Sequence, residues 1–146
     1  AAVAPYTGGG YMHTTDDRTP VTFITRYYLD KIKRLCDAHG TKLLFVTAPS
    51  PVNHTMQRHN EVQALADALA VPYLDLNLNT EELGIDWNLD TLDGGDHLNY
   101  TGCQKATAYL QWYMQTHYTL PDRRDDVRYE AWNKQAEEFE KLLPQP

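Results

Sequence analysis

The stretch LDGGDHLNYTG, residues 92–102, crowds two carboxylates, Asp93 and Asp96, against His97 beside two glycines. A carboxylate next to a histidine fixes which ring nitrogen carries the proton. It also stabilises the charged ring once the histidine has taken a proton. That is the chemistry of an acid–base pair serving a nucleophile. Gly94 and Gly95 would let the backbone fold so that one acid reaches the imidazole. Adjacent side chains in extended backbone point apart, which counts against Asp96 as a direct partner unless the turn is bulged. Two plainer readings use the same residues. Asp96 or Asn99 can cap the helix that follows, leaving His97 a surface residue. A zinc site wants three or four convergent ligands, and His54 and His59, five apart, do not share a helix face. No metal ligands and no cofactor are therefore assigned. His13, His39 and His117 show no partner pattern.

The elements around this stretch are legible as periodicities. Pro20 sits where a first helical turn would begin, with Thr19 as its cap. Phe23, Ile24, Tyr27, Tyr28, Ile32, Leu35 and Cys36 then recur at helical spacing, closed by Gly40. Residues 42–49, KLLFVTAP, and 71–77, VPYLDLN, read as short apolar strands around a helical run at 61–70. Strand, helix and strand in so short a span read as a crossover within a parallel sheet. Nearly continuous apolar strands suit a sheet covered on both faces. Residues 78–98 read as a long polar loop and 101–117 as an amphipathic helix. In parallel α/β sheets ligands gather at the carboxyl ends of strands, which is where 92–102 falls. A last helix from about 127 to 143 carries Tyr129, Trp132, Ala136, Phe139 and Leu143 as a packing stripe.

The chain has 146 residues, enough for one ordinary domain, and 42% of them are hydrophobic. Its formal net charge of −7 and scattered basic residues exclude the clustered cation surface of a nucleic-acid partner. No run approaches the roughly 20 apolar residues of a transmembrane helix. Residues 1–10 lack the charged start and long apolar centre of a signal peptide. Cys36 and Cys103 form no metal spacing or disulfide framework and read as small hydrophobes in helices.

LLFVTAPSP, then VPYLDLN, then DGGDHLNYTGCQKATAYL resembles the last third to half of SGNH/GDSL-type hydrolases. The likeness spans roughly 24–118 and is most specific over 93–110. It looks like the bacterial cell-envelope branch, which includes relatives acting on O-acyl groups of surface polysaccharides. The resemblance implies an α/β fold: part of a three-layer, flavodoxin-like parallel sheet with flanking helices, lacking its N-terminal strands. On this reading 1–20 are an irregular lead-in, 21–118 the C-terminal part of the domain, and 119–146 a helical extension.

The resemblance also implies that His97 is the general base of a Ser-His-Asp triad, with Asp93 or else Asp96 as its acid. The family's acid stands three residues before its histidine; here that position is Gly94. One inserted glycine lets Asp93 take the role. The family's serine and its glycine and asparagine oxyanion helpers have no counterpart. The single serine, Ser50, lies between two prolines after the wrong strand. The expected nucleophile therefore lies outside this chain, in a missing N-terminal portion of the same protein, and the isolated chain is expected to be inactive. Ser50, Arg58, His59, Asn60 and Trp87 are the candidate cleft-lining, substrate-binding residues, with Tyr11 a second aromatic face for a sugar. The implied activity is a serine esterase or O-acyl transferase on acylated carbohydrate or a small ester, in the cell envelope or secreted. The competing class is a non-catalytic module that binds carbohydrate or a partner chain through the same surface.

Overall fold

The computed structural model describes residues 2–143. The fold is mixed α/β, and the chain divides into two compact units between Leu110 and Gln111, inside its longest helix. The first unit opens with irregular backbone, as expected of 1–20. Helix α1 then spans Phe23–Ala38. Its cap is Thr22, whose hydroxyl accepts the Thr25 amide, so the helix begins later than Pro20 suggests. Strand β1, Phe45–Thr47, leads through helix α2, Met56–Leu69, to strand β2, Tyr73–Asp75. The two strands pair in parallel, Phe45 opposite Tyr73 and Thr47 opposite Asp75, and α2 packs on β2. This is the expected strand–helix–strand unit, with both strands shorter than their apolar runs.

Leu65 and Ala66 of α2 join Val71, Leu74, Leu76 and Leu83 as the buried apolar core of the described residues. The polar stretch after β2 is not wholly loop. A 3₁₀ turn at Leu76–Leu78 and a one-turn helix α3, Thr80–Leu83, fold Leu76 and Leu83 inward. Helix α4, Tyr100–His117, follows the candidate loop directly.

The expectation of cover on both sheet faces is not met. Val46, central in β1, is 42% exposed. Helix α1 has no buried residue, and Ile24, Tyr28, Ile32 and Leu35, spaced four, four and three apart, are all exposed. An amphipathic helix is stabilised mainly by packing its apolar stripe. Here that stripe faces solvent.

The second unit holds the end of α4, a 3₁₀ turn at Val127–Tyr129 and helix α5, Glu130–Leu142. Asp126 accepts the Arg128 amide and pairs with the Arg128 guanidinium, which sets the entry to that turn. The expected packing stripe of α5 is not buried: no residue of the helix is, and Trp132 is exposed. Among the described residues, no helix is long and apolar enough to cross a membrane.

Candidate functional site

Residues 91–98 close on themselves as a small ring. The Leu92 amide donates to the His97 carbonyl at 2.9 Å, and the Gly95 amide donates to the Thr91 hydroxyl at 2.7 Å. Both glycines lie in the left-handed region, Gly94 at φ 76° and Gly95 at φ 99°. Side chains rarely adopt that conformation. A Cβ at Gly95 would also stand 2.8 Å from the Tyr6 ring and 2.9 Å from Pro51 Cγ. The lead-in braces the ring from outside: the Gly94 amide donates to the Ala4 carbonyl and the Ala4 amide to the Thr91 carbonyl.

Asp93 grips His97 twice. Its Oδ1 accepts the His97 amide and its Oδ2 meets His97 Nδ1, each at 2.7 Å. Asp96 Oδ2 lies 3.7 Å from the same nitrogen, and its Oδ1 instead accepts a hydrogen bond from Asn53 Nδ2. The geometry pairs His97 with Asp93: the Gly94–Gly95 turn brings the residue four back, rather than its neighbour, to the ring. The Asp93 bond, with the Asp96 charge behind it, holds the imidazole above its ordinary pKa. The bond from His97 in turn holds the Asp93 carboxyl below the usual range. The His97 side chain is 67% exposed, so the dyad sits on an open surface rather than in a walled crevice.

Asn99, not Asp96, caps α4. Its buried Oδ1 accepts the Gly102 amide at 3.1 Å and the Thr101 hydroxyl at 2.8 Å. Buried Asp90 locks the base of the loop, sharing the Thr101 hydroxyl with Asn99 at 2.8 Å and accepting the Asp86 amide at 2.8 Å and Lys105 Nζ at 2.5 Å. Burial alone would raise its pKa; these bonds, the Lys105 bond foremost, outweigh burial and lower it.

The binding candidates separate. Ser50 reaches the loop, its hydroxyl donating to the Gly95 carbonyl at 3.2 Å. Arg58, in the first turn of α2, donates to the Asn53 carbonyl and lines a different cleft of about 410 Å³ with His54, Thr47 and Thr22. Asn60 ties down the lead-in through the Thr15 and Asp17 carbonyls. Trp87 is partly buried, with Tyr6 and Tyr11 edge-on to its ring. Tyr11 donates to Asn77.

His59 belongs to a second cluster that spacing argued against. His59 Nδ1 and His54 Nε2 both lie 2.8 Å from Asp75 Oδ2, and the Tyr73 hydroxyl donates to that oxygen at 3.1 Å. The helix-face argument fails because His54 is not in the helix. Thr55 caps α2, accepting the Arg58 amide, so His54 stands in the turn before it and His59 in its first turn. Asp75 ends β2, and the bonds from His54 and Asn77 overcome its burial and hold its carboxyl well below the usual range. Thr55, a residue type that favours helix caps, was the available signal for this boundary.

No known family model, curated protein or solved structure matches the chain.

Proposed function

We propose that His97 and Asp93 are the base and acid of an SGNH-like serine esterase or O-acyl transferase whose nucleophile lies outside these residues. The observation that carries this reading is the bond from His97 Nδ1 to Asp93 Oδ2, made by a ring that remains 67% exposed. A carboxylate on Nδ1 leaves Nε2 as the nitrogen that takes a proton from a serine and returns it to the leaving group. The parallel β1–β2 pair is the part of a flavodoxin-like sheet these residues would supply. The exposed α1 stripe and Val46 are the surfaces that the remaining strands and helices would cover. Acylated carbohydrate or a small ester is the proposed substrate class, in the cell envelope or secreted.

One observation favours a second reading, a non-catalytic binding module. The chain's single serine gives its hydroxyl proton to the Gly95 carbonyl. A serine-reactive fluorophosphonate probe, applied to the native gene product that carries these residues, separates the two. Labelling is the result expected of the esterase; absence of labelling in an intact, folded product assigns the chain to the binding class.

A further inference from the structure

At the carboxyl end of β2, two imidazoles and a phenol hydroxyl converge on one buried carboxylate oxygen. A carboxylate oxygen offers about two lone-pair sites. Asp75 Oδ2 faces three donors: His54 Nε2 and His59 Nδ1 at 2.8 Å and the Tyr73 hydroxyl at 3.1 Å. The Asp75 side chain is only 1% exposed, and its ion-pair partners among the described residues are the two histidines. Buried charges in proteins are paired or coordinate metals.

The surroundings are those of a supported ligand set. Asn77 donates to Asp75 Oδ1 twice, from its backbone amide at 2.9 Å and its side chain at 2.8 Å, which aims Oδ2 at the imidazoles. The His59 ring stacks on Tyr73 with centroids 5.5 Å apart. Such outer partners orient metal-binding carboxylates and imidazoles. The three ligand atoms lie within 4.8 Å of one another. One of the three, His54, also lines the 410 Å³ cleft, together with Thr47 and Arg58.

We propose that His54 Nε2, His59 Nδ1 and Asp75 Oδ2 bind one zinc-type divalent transition-metal ion. Two imidazoles and one carboxylate are a ligand set such ions take, with a further position left for water or a ligand from the cleft. Each imidazole coordinates through a bare nitrogen. The proton now shared with Asp75 therefore moves to the other ring nitrogen or leaves. This site is independent of the His97 dyad.

The test uses the full chain, stripped by chelator and dialysis. It is titrated with Zn²⁺ by calorimetry and with Co²⁺ by absorption, and its imidazoles are followed by ¹⁵N NMR. The expected result is one ion per chain, Co²⁺ bands of a four- or five-coordinate site, and perturbed His54 and His59 rings with His97 unmoved. His59→Gln, on the more exposed of the two rings, should weaken Zn²⁺ binding by at least about 100-fold, since even outer partners are worth 10–100-fold. Asp93→Asn should leave the affinity as it was. Absence of binding at about 100 µM Zn²⁺, full affinity in His59→Gln, or loss of binding in Asp93→Asn would each overturn the proposal. Should His59→Gln fail to fold, the NMR of the unsubstituted chain decides.

Discussion

Asp93 holds His97, four residues on, at two points, taking the backbone amide with one carboxylate oxygen and ring Nδ1 with the other, both at 2.7 Å. The ring is therefore oriented by its own loop and needs no distant residue to set its tautomer. Asp96, next door in sequence, is turned to Asn53.

The first prediction concerns pH. His97 has a raised pKa, owed first to the Asp93 hydrogen bond and then to the Asp96 and Asp93 charges. Asp93 has a lowered one, owed first to the bond with His97. A raised histidine pKa contributes stability in full below its unfolded value, about 6.5, which is lost as pH rises through the folded value. A lowered aspartate pKa contributes above its unfolded value, about 3.9, and is lost as pH falls. The pair therefore favours the closed loop most between about pH 4 and 6.5. An NMR titration of Asp93→Asn should show the His97 pKa lower than in the unsubstituted chain, with a smaller drop in Asp96→Asn. An unchanged His97 pKa in Asp93→Asn would contradict the pairing.

Gly95→Ala should destabilise the chain by about 1–3 kcal/mol, the usual scale for forcing a side chain into strained backbone. The new methyl would also press on Tyr6 and Pro51. A urea melt reads the loss, and a shift of the His97 resonances reports the displaced loop. A melt identical to that of the unsubstituted chain would show that the left-handed turn is not required.

Asp90→Ala should cost about 1–3 kcal/mol, because it leaves the Asp86 amide without its acceptor and removes one of the two acceptors beside the Thr101 hydroxyl. Asp90→Ala leaves a partly exposed Lys105 that recovers water, whereas Lys105→Met strands the buried Asp90 carboxylate without its cation, so Lys105→Met should cost at least as much. The order of the two losses in urea unfolding is the checkable point.

The α1 stripe yields a prediction of the opposite sign. Ile24→Lys combined with Ile32→Lys should change the stability of these residues by no more than about 0.5 kcal/mol, as exposed substitutions do. The same pair should impair any larger assembly that buries the stripe. A loss of several kcal/mol in the chain alone would show the helix already packed.

Much of this was legible in the residue order. The strand–helix–strand unit and the helix after His97 follow from apolar period and turn glycines, and Asp93 is singled out through the resemblance, with one glycine more than the resembled spacing. The strand lengths did not, because the apolar runs extend beyond the three residues on each side that find a partner. Burial of α1 did not either: a helical stripe records that a face is apolar, not that anything covers it. The His54–His59–Asp75 cluster is hidden in the sequence because a five-residue gap does not place two histidines on one helix face. The cap at Thr55 divides that gap between a turn and a helix, and Asp75 comes from a strand sixteen residues beyond His59.

The central claim is that the imidazole at position 97 moves the proton in an acyl-transfer step. Its most direct test is turnover of a chromogenic acetate ester by the native gene product, unsubstituted and as His97→Ala, at matched folded concentration. The account predicts hydrolysis by the first and its loss by a factor of about 10²–10⁴ in the second, the usual contribution of a positioned acid–base group. Equal turnover by the two proteins would contradict it.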